Sequence, residues 1–238
     1  MEKITLSIFV PCFNEEKNIS KTLNNIKEGV QNLTYEILVV DDASKDKTVD
    51  AIEKFKNDNL NLNIKTFYNK KNQGIGFNYF NTAQKASGKY YMLVNGDADF
   101  PSDTIKNISS HVGKADMIIC YFHGQNDKRT LLRKLFSKIF VLILNLITFN
   151  NLKYYNYALH LLENVKLYKT STFHFSYHAE LITKLLAMQK TYIEIQAESI
   201  DTGGVKKVVT LHNIYGLGKT IITIFLNQIT YLAKKVFK

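Results

Sequence analysis

The chain has 238 residues, enough to bury one sizeable core or a core with an appended segment. Hydrophobic residues make up 45% of the sequence and aromatic residues 12%, which excludes a disordered chain. The two cysteines, Cys12 and Cys120, have no metal-ligand spacing and give no disulfide framework, so the sequence favours a reducing compartment.

The net charge of +10 lies entirely in the second half of the chain. Residues 1–118 contain 15 Lys or Arg and 15 Asp or Glu, whereas residues 119–238 contain 16 and 6. A basic half suits an anionic membrane surface, an anionic substrate or nucleic acid, although it can also be only a solvated surface. No nucleic-acid-binding motif accompanies the charge, so the sequence disfavours that partner.

The first half alternates strand-like and helix-like segments. Apolar runs at 6–10, 37–40, 64–68 and 90–94 read as strands, and apolar residues at helical spacing follow the first three. Such alternation predicts right-handed βαβ units and a largely parallel sheet. We therefore predict an α/β fold with a Rossmann-like nucleotide-binding half over residues 1–118. The start Met1-Glu2-Lys3-Ile4 runs straight into the first strand and predicts no signal peptide.

The second half carries longer apolar helices. We predict a strand at 116–120, helices at 131–149 and 177–188, a strand at 192–197, and a basic amphipathic helix at 211–238. The apolar run in the 131–149 helix is far short of the ~20 residues that span a bilayer. That helix is either part of the core or lies in a membrane interface. The C-terminal helix either contacts a membrane or packs against the core or a partner subunit. Residues 119–210 would form the second half of one domain, 1–210.

Polar loops follow each of the first four predicted strands. They are Pro11 to Glu16, Asp41 to Asp46, Asn69 to Gly76 and Asn95 to Asp99. The carboxyl ends of parallel strands meet at one edge of the sheet, where open α/β sheets bind ligands. A buried Asp42 could accept a hydrogen bond from the base of a nucleotide. Gly74 and Gly76 have no side chain and would allow a ligand to approach the backbone closely. The sequence therefore predicts a nucleotide site at this edge.

The fourth loop contains two carboxylates, Asp97 and Asp99, directly after a buried-looking strand. Hard divalent cations take oxygen ligands, and a carboxylate pair with open positions can hold one against the phosphates of a substrate. We therefore expect Mg²⁺ or Mn²⁺ and a nucleoside diphosphate sugar at this loop.

The four loops resemble the inverting family 2 glycosyltransferases, which have the GT-A fold. The matching stretches are 7–16, 39–48, 72–76 and 96–99, in that family's order and spacing. The resemblance implies a GT-A domain and assigns nucleotide-binding and metal roles to eight residues. The residues at the nucleotide would be Pro11, Phe13, Glu15, Asp42, Gly74, Asp97 and Ala98. The metal would be held by Asp97 and Asp99, and Asp99 would also be catalytic.

Within that family the chain is most similar to the dolichyl-phosphate mannosyltransferase and polyprenyl-phosphate glycosyltransferase branch. Arg133 and Ser137 match a pair that faces the acceptor phosphate in those enzymes, Glu180 matches a helix acid, and Arg129 is a further catalytic candidate. The chain departs from that branch in several places, for example at Phe122, where many relatives have arginine. The acceptor therefore stays open.

A lipid phosphate is anionic at neutral pH and can attack the anomeric carbon without a general base, so positioning and charge neutralisation suffice. A sugar hydroxyl would need a base, for which Glu180, Asp127 and Asp201 are candidates. We expect a polyprenyl-phosphate glycosyltransferase that is peripheral to the cytoplasmic face of a membrane. The alternatives are a transferase that adds a sugar to a surface glycan and a non-catalytic sugar-nucleotide-binding relative.

Overall fold

The computed structural model describes residues 3–121, 131–156, 160–173, 176–198 and 211–236. Seven strands form one sheet in the order β3-β2-β1-β4-β6-β5-β7. The strands are β1 (Leu6–Cys12), β2 (Tyr35–Asp41), β3 (Ile64–Tyr68), β4 (Tyr90–Leu93), β5 (Met117–Tyr121), β6 (Leu161–Glu163) and β7 (Tyr192–Gln196). The helices are α1 (Ile19–Gly29), α2 (Thr48–Asp58), α3 (Ile75–Ala83), α4 (Ser102–Ser109), α5 (Leu131–Thr148), α6 (Tyr177–Ala187) and α7 (Leu211–Val236), with a short 3-10 helix at Val165–Leu167.

The order of the strands places a ligand-binding crevice at the end of β1. Strand β1 pairs in parallel with β2 on one side and with β4 on the other. The chain therefore leaves β1 toward β2 and β3 and returns on the other side as β4. Ligands bind where the strand order reverses in this way, outside the carboxyl ends of the strands.

Apolar side chains alternate between the two faces of the sheet, and each face has its own core. In β1, Leu6, Ile8 and Val10 belong to the core beneath α1, α2 and α4, whereas Phe9 belongs to the core beneath α3, α5, α6 and α7. This alternation is the two-residue period of a strand. Because both faces are covered, the central strands are mostly apolar, which agrees with the apolar runs predicted from the sequence.

Most predicted elements are present, and two observed elements were not predicted. The helix expected at 131–149 is α5, and the C-terminal helix is α7. Strand β6 and helix α4 are additional, and β6 runs antiparallel to β4 and β5. The GT-A-like mostly parallel sheet is thus interrupted by one reversed strand. None of the helices in the described ranges is long and apolar enough to cross a membrane.

A buried carboxylate ties three strands together at the amino edge of the sheet. Glu36 in β2 accepts hydrogen bonds from the Ser7 hydroxyl at 2.6 Å, the Ser87 amide at 2.6 Å and the Lys65 ammonium at 2.7 Å. Burial raises the pKa of Glu36, but the bonds from Lys65, Ser7 and Ser87 outweigh it, and the net pKa is lowered. The charged form of Glu36 therefore stabilises the fold.

Replacement of Glu36 by glutamine is expected to lower the free energy of unfolding at pH 7 by about 1–3 kcal/mol, because donors would face an amide. The pKa of Glu36 is lower in the folded protein than in the unfolded chain. Its stabilising effect is therefore fully present above the pKa of the unfolded glutamate and is lost as the pH falls through the pKa of the folded protein. The difference between wild type and Glu36→Gln should therefore shrink below about pH 4. Urea unfolding across a pH series measures it, and a constant difference would contradict the prediction.

Candidate active site

The loops after β1 and β2 are joined to each other by side chains that accept from backbone amides. The Asn14 amide donates to the Ser44 hydroxyl at 2.8 Å, and the Glu15 amide donates to the Thr48 hydroxyl at 2.7 Å. In return, the Lys45 amide donates to the Asn14 side-chain oxygen at 2.8 Å. The two loops therefore form one rigid wall at the carboxyl edge, on which Phe13 is 45% exposed.

Asp42 is the acceptor around which the loop after β3 is ordered. Its Oδ1 accepts from the Asn69 side chain and the Gln73 amide, both at 2.8 Å, and its Oδ2 accepts from the Gly74 amide at 2.9 Å. Burial raises the pKa of Asp42, but these hydrogen bonds outweigh it and the pKa is lowered. Asp42 is only 6% exposed, and its hydrogen bonds hold the loop that borders the candidate nucleoside pocket.

Gly74 turns the chain from that loop into α3. Its φ is +83° and its ψ is 156°, a conformation essentially limited to glycine. The Gly74 amide points to Asp42, while its carbonyl accepts from the Asn78 amide at 3.1 Å and so starts the helix. Gly74 thus joins the Asp42-ordered loop to α3, and its nucleotide-binding role stays a prediction.

The two acidic residues of the loop after β4 flank a residue with a left-handed backbone conformation. Asp97 and Asp99 are partly exposed, whereas Gly96, Ala98 and Phe100 are buried. Ala98 has φ +56°, in the left-handed region that alanine rarely adopts. The turn therefore leaves both acidic residues partly accessible to solvent and buries Ala98 between them, and the Asp99 amide donates to Asp97 Oδ1 at 3.4 Å.

Helix α1 holds this turn in place. Thr22, 1% exposed, accepts a hydrogen bond from the Ala98 amide at 2.9 Å through its hydroxyl. One turn further along α1, the Asn25 side chain donates to the Phe100 carbonyl at 2.8 Å. These contacts offset the cost of the left-handed residue, since such strain persists only where neighbouring groups enforce it. The sequence analysis did not find Thr22 or Asn25.

The side chains at this turn fit a hard divalent cation. Among the described residues, no group of three or more His, Cys, Asp and Glu could by itself enclose a metal ion. Two carboxylates with open coordination positions are the donor set of a metal that is shared with the phosphates of a substrate, as Mg²⁺ commonly is. Asp97 and Asp99 are therefore compatible with Mg²⁺ or Mn²⁺.

The predicted acceptor-side residues are only partly described. Ser137, on α5, donates to the Tyr154 hydroxyl at 3.0 Å. Glu180, on α6, is 1% exposed and accepts from the Ser171 amide at 2.7 Å and from the Thr172 amide at 2.9 Å. Outside the described residues or side chains lie Arg129, Arg133, Asp127, Asp201 and Phe122. The structure thus brings the donor-side residues together and gives Glu180 partners within its own half.

The arrangement of loops and sheet agrees with a protein family. The family model described as glycosyl transferase family 2 matches residues 7–183, which include all four loops and the first part of α6. The chain belongs to glycosyl transferase family 2.

Two curated relatives are similar over about half of this chain. One is the poly(ribitol-phosphate) beta-N-acetylglucosaminyltransferase TarS of Staphylococcus aureus. It is 30% identical to this chain over 126 residues, and the match covers 51% of this chain and 22% of TarS. The other is a dolichol-phosphate mannosyltransferase of Pyrococcus furiosus. It is 27% identical to this chain over 137 residues, and the match covers 56% of this chain and 38% of that enzyme. These matches cover much less than two thirds of either relative.

A solved structure shows the same fold over nearly the whole chain. The mannosyltransferase PcManGT of Pyrobaculum calidifontis, in complex with GDP-Man and Mn²⁺, superposes with a TM-score of 0.66 at 17% identity and covers 97% of this chain and 65% of that one. The expected GT-A fold is thereby confirmed.

Replacement of Thr22 by valine keeps the bulk of the side chain but removes the acceptor for the Ala98 amide. We expect the free energy of unfolding to fall by about 1–2 kcal/mol and metal-dependent nucleotide binding to weaken, because a buried amide loses its partner. Denaturant unfolding and calorimetry with a nucleoside diphosphate and Mn²⁺ measure the two effects. Thr148→Val, which also removes a buried helical hydroxyl, is the control that should change stability alone. Equal nucleotide affinity in both variants would contradict this role of Thr22.

Proposed function

We propose that this protein is an inverting glycosyltransferase that moves a hexose-type sugar from a nucleoside diphosphate to a polyprenyl phosphate at a membrane. The observation that carries the proposal is the partly exposed pair of Asp97 and Asp99 after β4, beside the carboxyl end of β1, in a chain of glycosyl transferase family 2. Pro11, Phe13, Glu15, Asp42 and Gly74 line the nucleoside side of the same edge in this proposal.

The donor would lie across the carboxyl ends of β1 and β4. Asp97 and Asp99 would hold Mg²⁺ or Mn²⁺ there, and the ion, when bound, neutralises charge on the leaving diphosphate. The Asp42-ordered loop and the Phe13 loop would orient the nucleoside. The acceptor oxygen would then attack the anomeric carbon from the face opposite the diphosphate, which inverts that centre. The relative that is solved with GDP-Man and Mn²⁺ supports this donor chemistry.

The contacts of Glu180 favour an acceptor that needs no base. Its carboxylate accepts from two amides and from the Thr172 hydroxyl, and it is almost completely buried. A general base must reach the proton that it removes. A phosphate oxygen, already anionic, requires only cations that orient it, and in this proposal Arg129 and Arg133 supply them beside Ser137.

Helices α5 and α7 expose an apolar surface that suits a lipid acceptor. The two helices pack against each other, and each places few side chains in the core. Neither contains an Asp or a Glu, and basic residues lie near the start of α5 and the end of α7. The exposed apolar side chains are Leu135, Phe136, Ile139, Leu142 and Leu146 on α5, and Ile222, Phe225, Leu226, Ile229 and Leu232 on α7. A basic, apolar face of this kind binds anionic membranes peripherally.

A second candidate is a transferase that adds a sugar to a surface glycan. The similarity to the poly(ribitol-phosphate) transferase TarS favours it. Such an acceptor would present a hydroxyl nucleophile and would require a base that is not Glu180 in its described position.

One experiment separates the two acceptors. The purified protein is incubated with a panel of nucleotide sugars, Mn²⁺, and either a short-chain polyprenyl phosphate or poly(ribitol phosphate), and the products are identified by mass spectrometry. We expect a glycosylated lipid phosphate. Product only on the polyol would establish the second candidate, and no turnover of any nucleotide sugar would contradict both.

Replacement of Asp99 by asparagine removes one anionic metal ligand while keeping the shape of the side chain. Turnover is expected to fall at least about 100-fold, since charge stabilisation by a metal contributes several kcal/mol. Asp58→Asn, at the exposed end of α2, is the matched control and should retain full turnover. Wild-type rates in excess EDTA, or an active Asp99→Asn, would contradict the metal site.

Charged substitutions on the apolar surface of α5 and α7 are expected to abolish membrane binding. Leu146 is 67% exposed and Ile222 is 61% exposed, and Leu146→Glu with Ile222→Glu would bury two carboxylates in the lipid interface. Co-sedimentation with anionic liposomes measures binding, which should also weaken with salt because the basic residues act within a Debye length. Leu60→Glu, at an 86% exposed leucine beyond α2, is the control. Equal sedimentation of all variants would contradict the proposed surface.

A further inference from the structure

Residues 168–173, here called the strap, run between α3 and α6 after the short 3-10 helix. Just before the strap, in the 3-10 helix, the Lys166 carbonyl accepts from the Gln84 side chain at 3.0 Å. In the middle, the Lys184 ammonium donates to the Lys169 carbonyl at 2.8 Å. The strap therefore runs back along α6, in the direction opposite to that helix, toward the carboxyl edge of the sheet.

Glu180 fixes the end of the strap. One carboxylate oxygen accepts from the Ser171 amide at 2.7 Å, and the other accepts from the Thr172 amide at 2.9 Å and the Thr172 hydroxyl at 2.6 Å. Thr172 is itself 1% exposed. Three charge-assisted hydrogen bonds to one buried carboxylate hold two consecutive residues in a single geometry.

The next residue of the strap lies against the first turn of α3. A Cβ placed on Gly76 would lie 2.3 Å from the Phe173 carbonyl oxygen and 2.7 Å from its carbon, so only a glycine fits there. The Phe173 ring also packs edge-on against Phe80, on the same helix, with ring centroids 6.1 Å apart. The strap backbone and α3 are thus in direct contact at the start of the helix.

The start of α3 is also the end of the loop that Asp42 orders. Gly76 lies two residues after Gly74, whose amide donates to Asp42. In the same turn, the Asn78 side-chain oxygen accepts from the Asn69 side chain at 2.8 Å. A continuous series of contacts therefore runs from Glu180 through the strap to the candidate nucleoside pocket.

We propose that Glu180 is a positioning residue that fixes the strap against Gly76 and thereby holds the nucleoside-side loop, so that α6 and the donor pocket are coupled. The ligand-binding part of this inference rests on the proposed function, whereas the coupling is a property of the chain alone. Glu180 acts through Ser171, Thr172 and Phe173 and removes no proton from the acceptor.

Hydrogen exchange tests the coupling without any ligand. In Glu180→Gln and in Gly76→Ala, the amides of Gln73 and Gly74 should exchange faster by roughly 2- to 10-fold, the range for loss of one hydrogen bond. Thr172→Val, which removes only the hydroxyl bond to Glu180, is a milder variant if the others fold poorly. Glu36→Gln is the matched control, because Glu36 is an equally buried carboxylate with three donors at the other edge of the sheet.

The control should leave exchange at 73–74 at the wild-type rate, relative to amides of β1 in the same sample. Unchanged exchange at 73–74 in the strap variants, or equal acceleration in Glu36→Gln, would overturn the coupling. This result is independent of whether the protein binds a nucleotide sugar.

Binding and kinetics then distinguish positioning from base catalysis. For a positioning residue, Glu180→Gln should raise the nucleotide Kd and the KM for the donor severalfold while the shape of the kcat pH profile is retained. For a base, kcat should collapse, the acidic limb of the profile, which reports protonation of the base, should disappear and the nucleotide Kd should stay unchanged. The second pattern would overturn the assignment. Absence of nucleotide binding in wild type would contradict the proposed function and leave the exchange result to decide the coupling.

Discussion

Several backbone amides in the loops beyond the parallel strands donate to side-chain oxygens instead of to a neighbouring strand. Asp42 accepts from the loop after β3, Thr22 from the turn after β4, and Ser44 and Thr48 from the loop after β1. Glu180 does the same for the strap. An unpaired buried amide is costly, so each of these acceptors stabilises one backbone conformation. The loops of the candidate site are therefore ordered by the protein itself.

Much of the first half of the fold could be predicted from the sequence because its elements are long and strongly patterned. The strand at 64–68 was predicted with the bounds that the structure has, and the other main strands agree within two residues. Strand β6 was missed because three residues give no readable period. Helix α4 was missed as well, since its eight residues follow Pro101 without a distinctive cap. Phe77, which falls at helical spacing, is 40% exposed, whereas Tyr79 is fully buried.

For the candidate site as well, the sequence predicts features that depend on neighbouring residues and misses those that depend on residues far apart in the chain. Asp97 and Asp99 are recognisable from the sequence because their spacing and the preceding strand are adjacent in the chain. The role of Thr22 depends on an amide 76 residues away, and no feature of α1 distinguishes this threonine from an ordinary helical one. Glu180 could be identified as a conspicuous acid, but its partners at 171 and 172 are visible only in the fold. Sequence patterns thus located the acids and not the groups that hold them.

The reversed direction of β6 links the length of α3 to the length of the segment between β6 and α6. Because β6 runs toward the amino edge, the chain leaves it at Asn164, whose amide donates to the Lys89 carbonyl, on the side away from the candidate site. It must then travel the length of α3 before α6 can begin. Gly76 at the start of α3 lies against Phe173 of the strap, and Gln84, directly after α3, donates to the Lys166 carbonyl just before the strap. A deletion in either segment would misalign the other, so natural insertions and engineered grafts in this region are tolerable only as matched pairs.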